Sequence, residues 1–230
     1  SISEDGSRGV MVEVNSETDF VAKNDEFVEF ASQAAATVLA NSPADVAALN
    51  EMSLNGGSNS VEGRRQELIA KLGENMTVRR FSVVDSQGGV IGFYSHGGRI
   101  GVMTALQGGD AVLAKDISMH VAASKPVALS EDDIPAEVLE KEKEVFIAQA
   151  QESGKPAEII EKMIVGRMKK FVNEITLLGQ PFVKDPDQTV AKLMDSNSAK
   201  ILQFSRLEVG EGIEKKEENF ADEVMAQVKG

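Results

Sequence analysis

The sequence predicts an α+β protein with two small antiparallel-sheet and helix subdomains, an inserted antiparallel helical hairpin and a C-terminal helix. Three observations favour this class. Short alternating runs typical of strands are interspersed with longer runs at helical spacing. A strand, turn and Ala-rich helix beginning at Arg8 is echoed by a similar unit beginning at Arg99. Residues 135–177 form a charged helical pair, interrupted at Gly154 and Pro156.

The first elements follow from local signals. Residues 9–14 alternate and predict a strand, and a single helix is expected over 18–40. Thr18 is suited to cap this helix, and Asp19 favours the positive end of its dipole. The core stripe of the helix consists of Phe27, Phe30 with Ala31, Ala34 and Val38. A Ser/Gly/Asn-rich loop is expected at residues 53–63.

The middle of the chain predicts a helix followed by strands. The helix covers residues 64–72 and ends at Gly73, a C-cap. Three strand-like runs, 76–84, 89–94 and 99–106, predict an antiparallel meander. A helix over residues 110–124 follows, and the side chains expected to face inward are Val112, Leu113, Ile117 and Val121.

Amphipathic patterns dominate the last part of the chain. The second helix of the hairpin carries an apolar stripe of Ile160, Ile164, Met168, Phe171 and Ile175. A short helix at 189–195 and a strand at 201–209 return the chain to the core. An acidic terminal helix, 213–230, is expected to present Phe220, Val224 and Val228 on one face.

These elements suggest a division into four parts. Residues 1–89 form the N-terminal core subdomain, and residues 90–128 with 178–212 form the C-terminal core subdomain. The hairpin insertion spans 129–177, and the terminal module spans 213–230. The hairpin stripe is open to two interpretations, a homodimer contact or packing on the chain's own core.

Composition limits the partners. With 37 acidic and 24 basic side chains, the net charge is -13, which disfavours direct nucleic-acid binding and favours a basic protein surface. No apolar run is long enough to predict a membrane span. The chain has no cysteine and two histidines, His96 and His120. This composition predicts a cytoplasmic protein without a metal site or cofactor.

Catalytic motifs are also absent from the sequence. It contains neither a Walker-type phosphate loop nor a Gly-x-Ser-x-Gly elbow. His120 lies in an Ala/Met-rich helical pattern and is expected to be a packing histidine, whereas His96 lies at a Gly-flanked turn and is expected to be exposed. We therefore expect a binding protein and not an enzyme.

Phe20 allows two interpretations. Helical spacing places it near the face of Phe27, which favours a core residue. It also lies beside Asp19 at the start of the helix, where it could project beyond the core.

Seven runs in preserved order resemble the elongation factor Ts family of bacteria. The first and most specific run is Glu13-Val14-Asn15-Ser16-Glu17-Thr18-Asp19-Phe20-Val21-Ala22-Lys23-Asn24. The remaining runs are Lys71-Leu72-Gly73-Glu74-Asn75, Tyr94-Ser95-His96-Gly97, Met119-His120-Val121-Ala122-Ala123-Ser124-Lys125-Pro126, Gly166-Arg167-Met168-Lys169-Lys170-Phe171, Gln180-Pro181-Phe182-Val183 and Val209-Gly210-Glu211-Gly212-Ile213-Glu214-Lys215.

The resemblance implies a guanine-nucleotide exchange factor for the GTPase elongation factor Tu. Asp19 and Phe20 match a family pair that intrudes near the magnesium and phosphate site of the GTPase. Leu72 and Gly73 match an Ile-Gly pair that contacts the same region, and His96 matches a contact histidine.

Further contacts and one departure also follow from the resemblance. Thr18 and Val21 flank the intruding pair, and Phe220 and Val224 lie in the matched C-terminal module that docks on the GTPase. The family normally begins with a three-helix domain, which we expect this chain to lack because nothing precedes Ser1. The alternative function is a scaffold subunit that holds elongation factor Tu in a larger assembly.

Overall fold

The chain begins with a strand and two consecutive helices. The computed structural model describes residues 1–152 and 154–213. Strand β1 (Arg8–Ser16) leads into helices α1 (Asp19–Ala22) and α2 (Asp25–Asn41). The prediction of one continuous helix from 18 to 40 is wrong, because the Asn24 side chain accepts a hydrogen bond from the backbone N–H of Glu26 and starts a new helix.

Two further helices precede the second strand. They are α3 (Val46–Glu51) and α4 (Val61–Leu72), and strand β2 (Met76–Asp85) follows. Helix α4 begins three residues earlier than predicted because the Ser60 side chain caps it by accepting from the N–H of Gly63. The predicted C-cap is confirmed, since Gly73 has a φ of 76°.

The predicted meander is wrong in its first strand, although its second and third strands do pair antiparallel. Strand β2 pairs antiparallel with β1, from Arg8 opposite Asp85 to Ser16 opposite Met76, and these strands form a two-stranded sheet. A turn with positive φ at Gln87 and Gly88 then directs the chain away from this sheet. Long-range pairing with β1 therefore replaces the local pairing that chain order suggested.

A second sheet has three strands. Strands β3 (Val90–His96) and β4 (Ile100–Gln107) form a hairpin, and helix α5 (Ala111–Ser124) follows. The β4 strand also pairs with the last strand of the described chain, so it is central. Leu113, Ile117 and Val121 are buried as expected, but Val112 is 67% exposed, which corrects its predicted inward orientation. Val112 lies in the first turn of α5.

The rest of the described chain forms a helical hairpin and returns to the second sheet. The hairpin consists of α6 (Ala136–Gln151) and α7 (Ala157–Ile175), whose Phe146 and Phe171 rings meet edge to face at 6.4 Å. The following elements are β5 (Pro181–Phe182), β6 (Asp185–Thr189), α8 (Val190–Ser196) and β7 (Lys200–Glu208). Beyond Ile213, the predicted terminal helix lies outside the described residues.

The predicted α+β class with small antiparallel sheets is confirmed. One hydrophobic cluster uses side chains from residues 10–81, and a second uses side chains from residues 90–129 and 177–204. A third cluster joins the two sheets, with Met11 and Val84 packed near Met103 and Ala105. Among the residues that the structure describes, no helix is long and apolar enough to cross a membrane.

Candidate protein-binding surface

The short helix α1 presents an aromatic side chain to solvent. Thr18 caps α1, and Val21 is buried against the first hydrophobic cluster, so one side of the helix is anchored. Phe20 lies on the other side and is 89% exposed. The structure therefore favours the projecting position for Phe20 over the core position. An exposed phenyl ring on an anchored helix is well suited to enter a pocket of another protein.

A second segment, the end of α4, is tied to this helix. The Glu74 carboxylate accepts hydrogen bonds from the backbone N–H of Thr18, at 3.0 Å, and from the Thr18 hydroxyl. Gly73 immediately precedes Glu74 and is exposed, with open space where a Cβ would lie. Leu72 is half-buried and packs against the first cluster. The Leu72-Gly73 pair is thus held beside α1.

The β3–β4 hairpin supplies a third segment. Arg99 Nη1 lies 3.8 Å from Asp19 Oδ1, and both side chains are largely exposed. The backbone N–H of Arg99 donates to the carbonyl of His96 at 3.0 Å, which closes the hairpin turn. The exposed His96 ring stacks near Tyr94 at 6.3 Å between centroids, with Nδ1 3.3 Å from the Tyr94 hydroxyl. His96 is exposed, as expected.

These contacts join most of the sequence-predicted residues into one surface. Asp19, Phe20, Gly73 and His96 are exposed on its three segments. Val21 is buried and anchors α1 to the first hydrophobic cluster. Two members of the predicted set, Phe220 and Val224, lie outside the described residues.

Sequence reasoning missed two residues of this surface, Glu74 and Arg99. Both are charged residues that directly follow a glycine. Gly73 ends α4, and Gly98 lies in the turn between β3 and β4. Their partners, Thr18 and Asp19, are distant in the sequence, and no local pattern indicates them. The nearest signal was the presence of Glu74 in one of the recognised runs.

The buried histidine has a structural environment. His120 is fully buried, its Nδ1 accepts from the backbone N–H of Val183 at 3.1 Å, and its Nε2 lies 2.9 Å from Gln180 Oε1. Because Nδ1 is an acceptor, Nε2 carries the hydrogen. Burial lowers the pKa of His120, and the hydrogen bond with Gln180 offsets part of that effect. Its predicted packing role agrees with these contacts.

The surface and the contacts that support it indicate a protein that binds another protein. An exposed aromatic side chain beside a carboxylate, fixed by caps and long-range hydrogen bonds to a packed α+β core, is typical of a protein-recognition surface. Within the described residues, no group of three or more His, Cys, Asp and Glu side chains is arranged to hold a metal ion.

The sequence comparisons then identify the family. The family described as Elongation factor TS matches residues 17–211. A protein named Elongation factor Ts from Thioalkalivibrio sulfidiphilus is 60% identical over 100% of this chain and 78% of its own length. A protein of the same name from Alkalilimnicola ehrlichii is 60% identical over 99% of this chain and 77% of its own length. The protein of that name from Methylococcus capsulatus is 59% identical over 99% of this chain and 78% of its own length. The chain belongs to the elongation factor Ts family.

Proposed function

We propose that this protein is the guanine-nucleotide exchange factor of elongation factor Tu, acting in the cytoplasm during translation elongation. Family membership supports the choice of partner. The single structural observation that carries the mechanism is the 89% exposure of Phe20 on an anchored helix. A large apolar side chain held in water without a covering contact gains most when it enters a partner.

The mechanism requires no covalent chemistry. The exchange factor binds the GDP-bound GTPase and lowers the affinity of the GTPase for GDP. By linkage, GDP lowers the affinity of the GTPase for the exchange factor by the same ratio. An acceleration of GDP release by ~10⁴-fold corresponds to a barrier lower by roughly 5.5 kcal/mol. A single hot-spot side chain contributes about 2–4 kcal/mol, so several contacts must act together.

The three segments of the surface suggest distinct roles. Phe20 enters the GTPase near the bound nucleotide, and Asp19 brings a negative charge towards the phosphates, where it opposes GDP binding. The Arg99 guanidinium lies 3.8 Å from the Asp19 carboxylate and attracts it weakly, because both side chains are largely exposed. Gly73 permits close approach of a partner backbone because it has no side chain, and His96 contacts the GTPase from the β3–β4 hairpin.

Electrostatics favours a basic partner surface. The net charge of -13 attracts such a surface over distances of about one Debye length, ~8–10 Å at physiological salt. We therefore expect association with the GTPase to slow as salt is added. The maximal release rate within the complex depends on short-range contacts and should change less.

The direct test is release of labelled GDP from elongation factor Tu with and without this protein. Exchange activity predicts that release becomes faster and saturates with factor concentration. An unrelated acidic protein at the same concentration is the control for charge effects. Binding that leaves the release rate unchanged would contradict the proposal and would be the behaviour of a scaffold.

A further inference from the structure

The three exposed segments described above, α1, the end of α4 and the β3–β4 turn, are here called the recognition surface. A buried carboxylate lies between this surface and the end of the described chain. Glu13 on β1 is 3% exposed, although glutamate is seldom buried so deeply. Its Oε1 accepts hydrogen bonds from Arg79 and from the backbone N–H of Gly210, both at 2.9 Å, and its Oε2 accepts from Arg80 Nε. The carboxylate thus connects β1, β2 and the segment after β7.

A β-bulge explains how two consecutive arginines reach one carboxylate. Glu13 lies opposite Arg80, whereas Val14 lies opposite Val78, so Arg79 is the extra residue in β2. Consecutive side chains of a regular strand point to opposite faces, and a bulge changes that alternation. Both guanidinium groups therefore converge on Glu13.

The arginines extend the connection to the end of the described chain. Arg79 donates to the carbonyl of Glu211, and Arg80 donates to the carbonyl of Glu208 at 3.0 Å. Burial acts to raise the pKa of the Glu13 carboxyl, but the hydrogen bonds from Gly210, Arg79 and Arg80 outweigh it and leave that pKa below its ordinary value. Glu13 is therefore charged at neutral pH.

A second path joins the same segment to the recognition surface. The backbone N–H of Val209 donates to the carbonyl of Arg99 at 2.8 Å, and Arg99 pairs with Asp19. From Glu13, strand β1 leads in the other direction to the same Asp19. Contacts and chain thus form a closed ring through Glu13, Asp19, Arg99 and residues 209–210. A ring resists changes in relative position better than a single connection.

We propose that Glu13 is a positioning residue that fixes residues 208–213 relative to Phe20. The proposal rests on the proposed function, because it concerns two contact regions on one GTPase. When both regions are held at the correct separation, the second contact forms at a high effective concentration after the first. Glu13 would therefore set the affinity for the GTPase, while Phe20 sets the rate of GDP release within the complex.

The test is a mutant cycle on the full chain, measured by GDP release from elongation factor Tu. For Glu13→Gln, we expect the factor concentration at half-maximal rate to rise about tenfold, with a maximal rate within about twofold of the unmodified chain. A second variant, with Phe220→Ala and Val224→Ala together, removes apolar side chains from the segment beyond residue 213. In that background, Glu13→Gln should change the half-maximal concentration by less than about twofold, because the contact that the family resemblance assigns to Phe220 and Val224 has been removed.

Controls separate positioning from stability. Asp116→Asn removes a different long-range ion pair, with Lys184, and should leave both kinetic parameters unchanged. If circular dichroism shows that Glu13→Gln does not fold, Arg80→Lys provides the same test. Arg80 is partly exposed, and lysine keeps the positive charge but lacks the several N–H donors of the guanidinium group. A lower maximal rate, or an equal effect of Glu13→Gln in both backgrounds, would overturn the positioning role. If the unmodified chain does not accelerate release, the proposed function fails instead.

Discussion

Thr18 and Glu74, which lie 56 residues apart in sequence, are joined by two hydrogen bonds to one carboxylate. Thr18 begins the helix that carries Phe20, and Glu74 follows the glycine that ends α4. The contact therefore holds two separate parts of the recognition surface in register. It also satisfies the backbone N–H of Thr18, which precedes the first turn of α1.

Removal of the Glu74 carboxylate should impair exchange without unfolding the protein. For Glu74→Ala, we expect the concentration for half-maximal GDP release to rise about fivefold, because exposed hydrogen bonds to a charged group contribute on the order of 1 kcal/mol. Glu67→Ala on helix α4 removes an exposed ion pair with Arg64 and is the matched control. Equal kinetics for both variants would contradict the role of Glu74.

Two substitutions at Gly73 separate backbone strain from close approach. Its φ of 76° is unfavourable for alanine, so Gly73→Ala should destabilise the protein by about 1–2 kcal/mol. Asparagine tolerates this conformation better, so Gly73→Asn should melt closer to the unmodified chain. If a partner backbone approaches Gly73, both variants should bind the GTPase more weakly. Normal binding by Gly73→Asn would show that the glycine only terminates α4.

His120 should make stability depend on pH. Because its pKa is lowered in the folded protein, folding favours the neutral imidazole. Its contribution to stability is complete above the unfolded pKa of ~6.5 and declines as pH falls towards the lowered folded value. Chemical unfolding between pH 8 and pH 5 should therefore show a shallower loss of stability in His120→Gln than in the unmodified chain. Parallel curves would show that another group causes the loss.

Local signals predicted the elements better than their pairing. The caps at Thr18 and Gly73 were identified from residue type, because each depends on hydrogen bonds within a few residues. The partner of β2 was predicted incorrectly, because the pairing with β1 closes a long loop that no local pattern encodes. The same limit applies to Glu74, whose partner Thr18 lies on another element.

The position of Phe20 shows why one short break matters. On a continuous helix, Phe20 and Phe27 are seven residues apart and share a face, which favours burial for both. The new cap at Asn24 ends that periodicity, so α1 takes its own orientation. Phe27 is 6% exposed and Phe20 is 89% exposed. An Asn before two acidic residues was the available signal for the break.

The substitution Phe20→Ala tests the account most directly when stability and GDP release are measured on the same protein. Since little packing is lost, the free energy of unfolding should fall by less than about 1 kcal/mol, whereas Phe27→Ala, the buried control, should lose about 3–5 kcal/mol. At saturating Phe20→Ala, GDP release should be at least tenfold slower than with the unmodified chain, which corresponds to about 1.4 kcal/mol of barrier. A Phe20→Ala protein that melts much earlier, yet releases nucleotide at the normal rate while folded, would contradict the account.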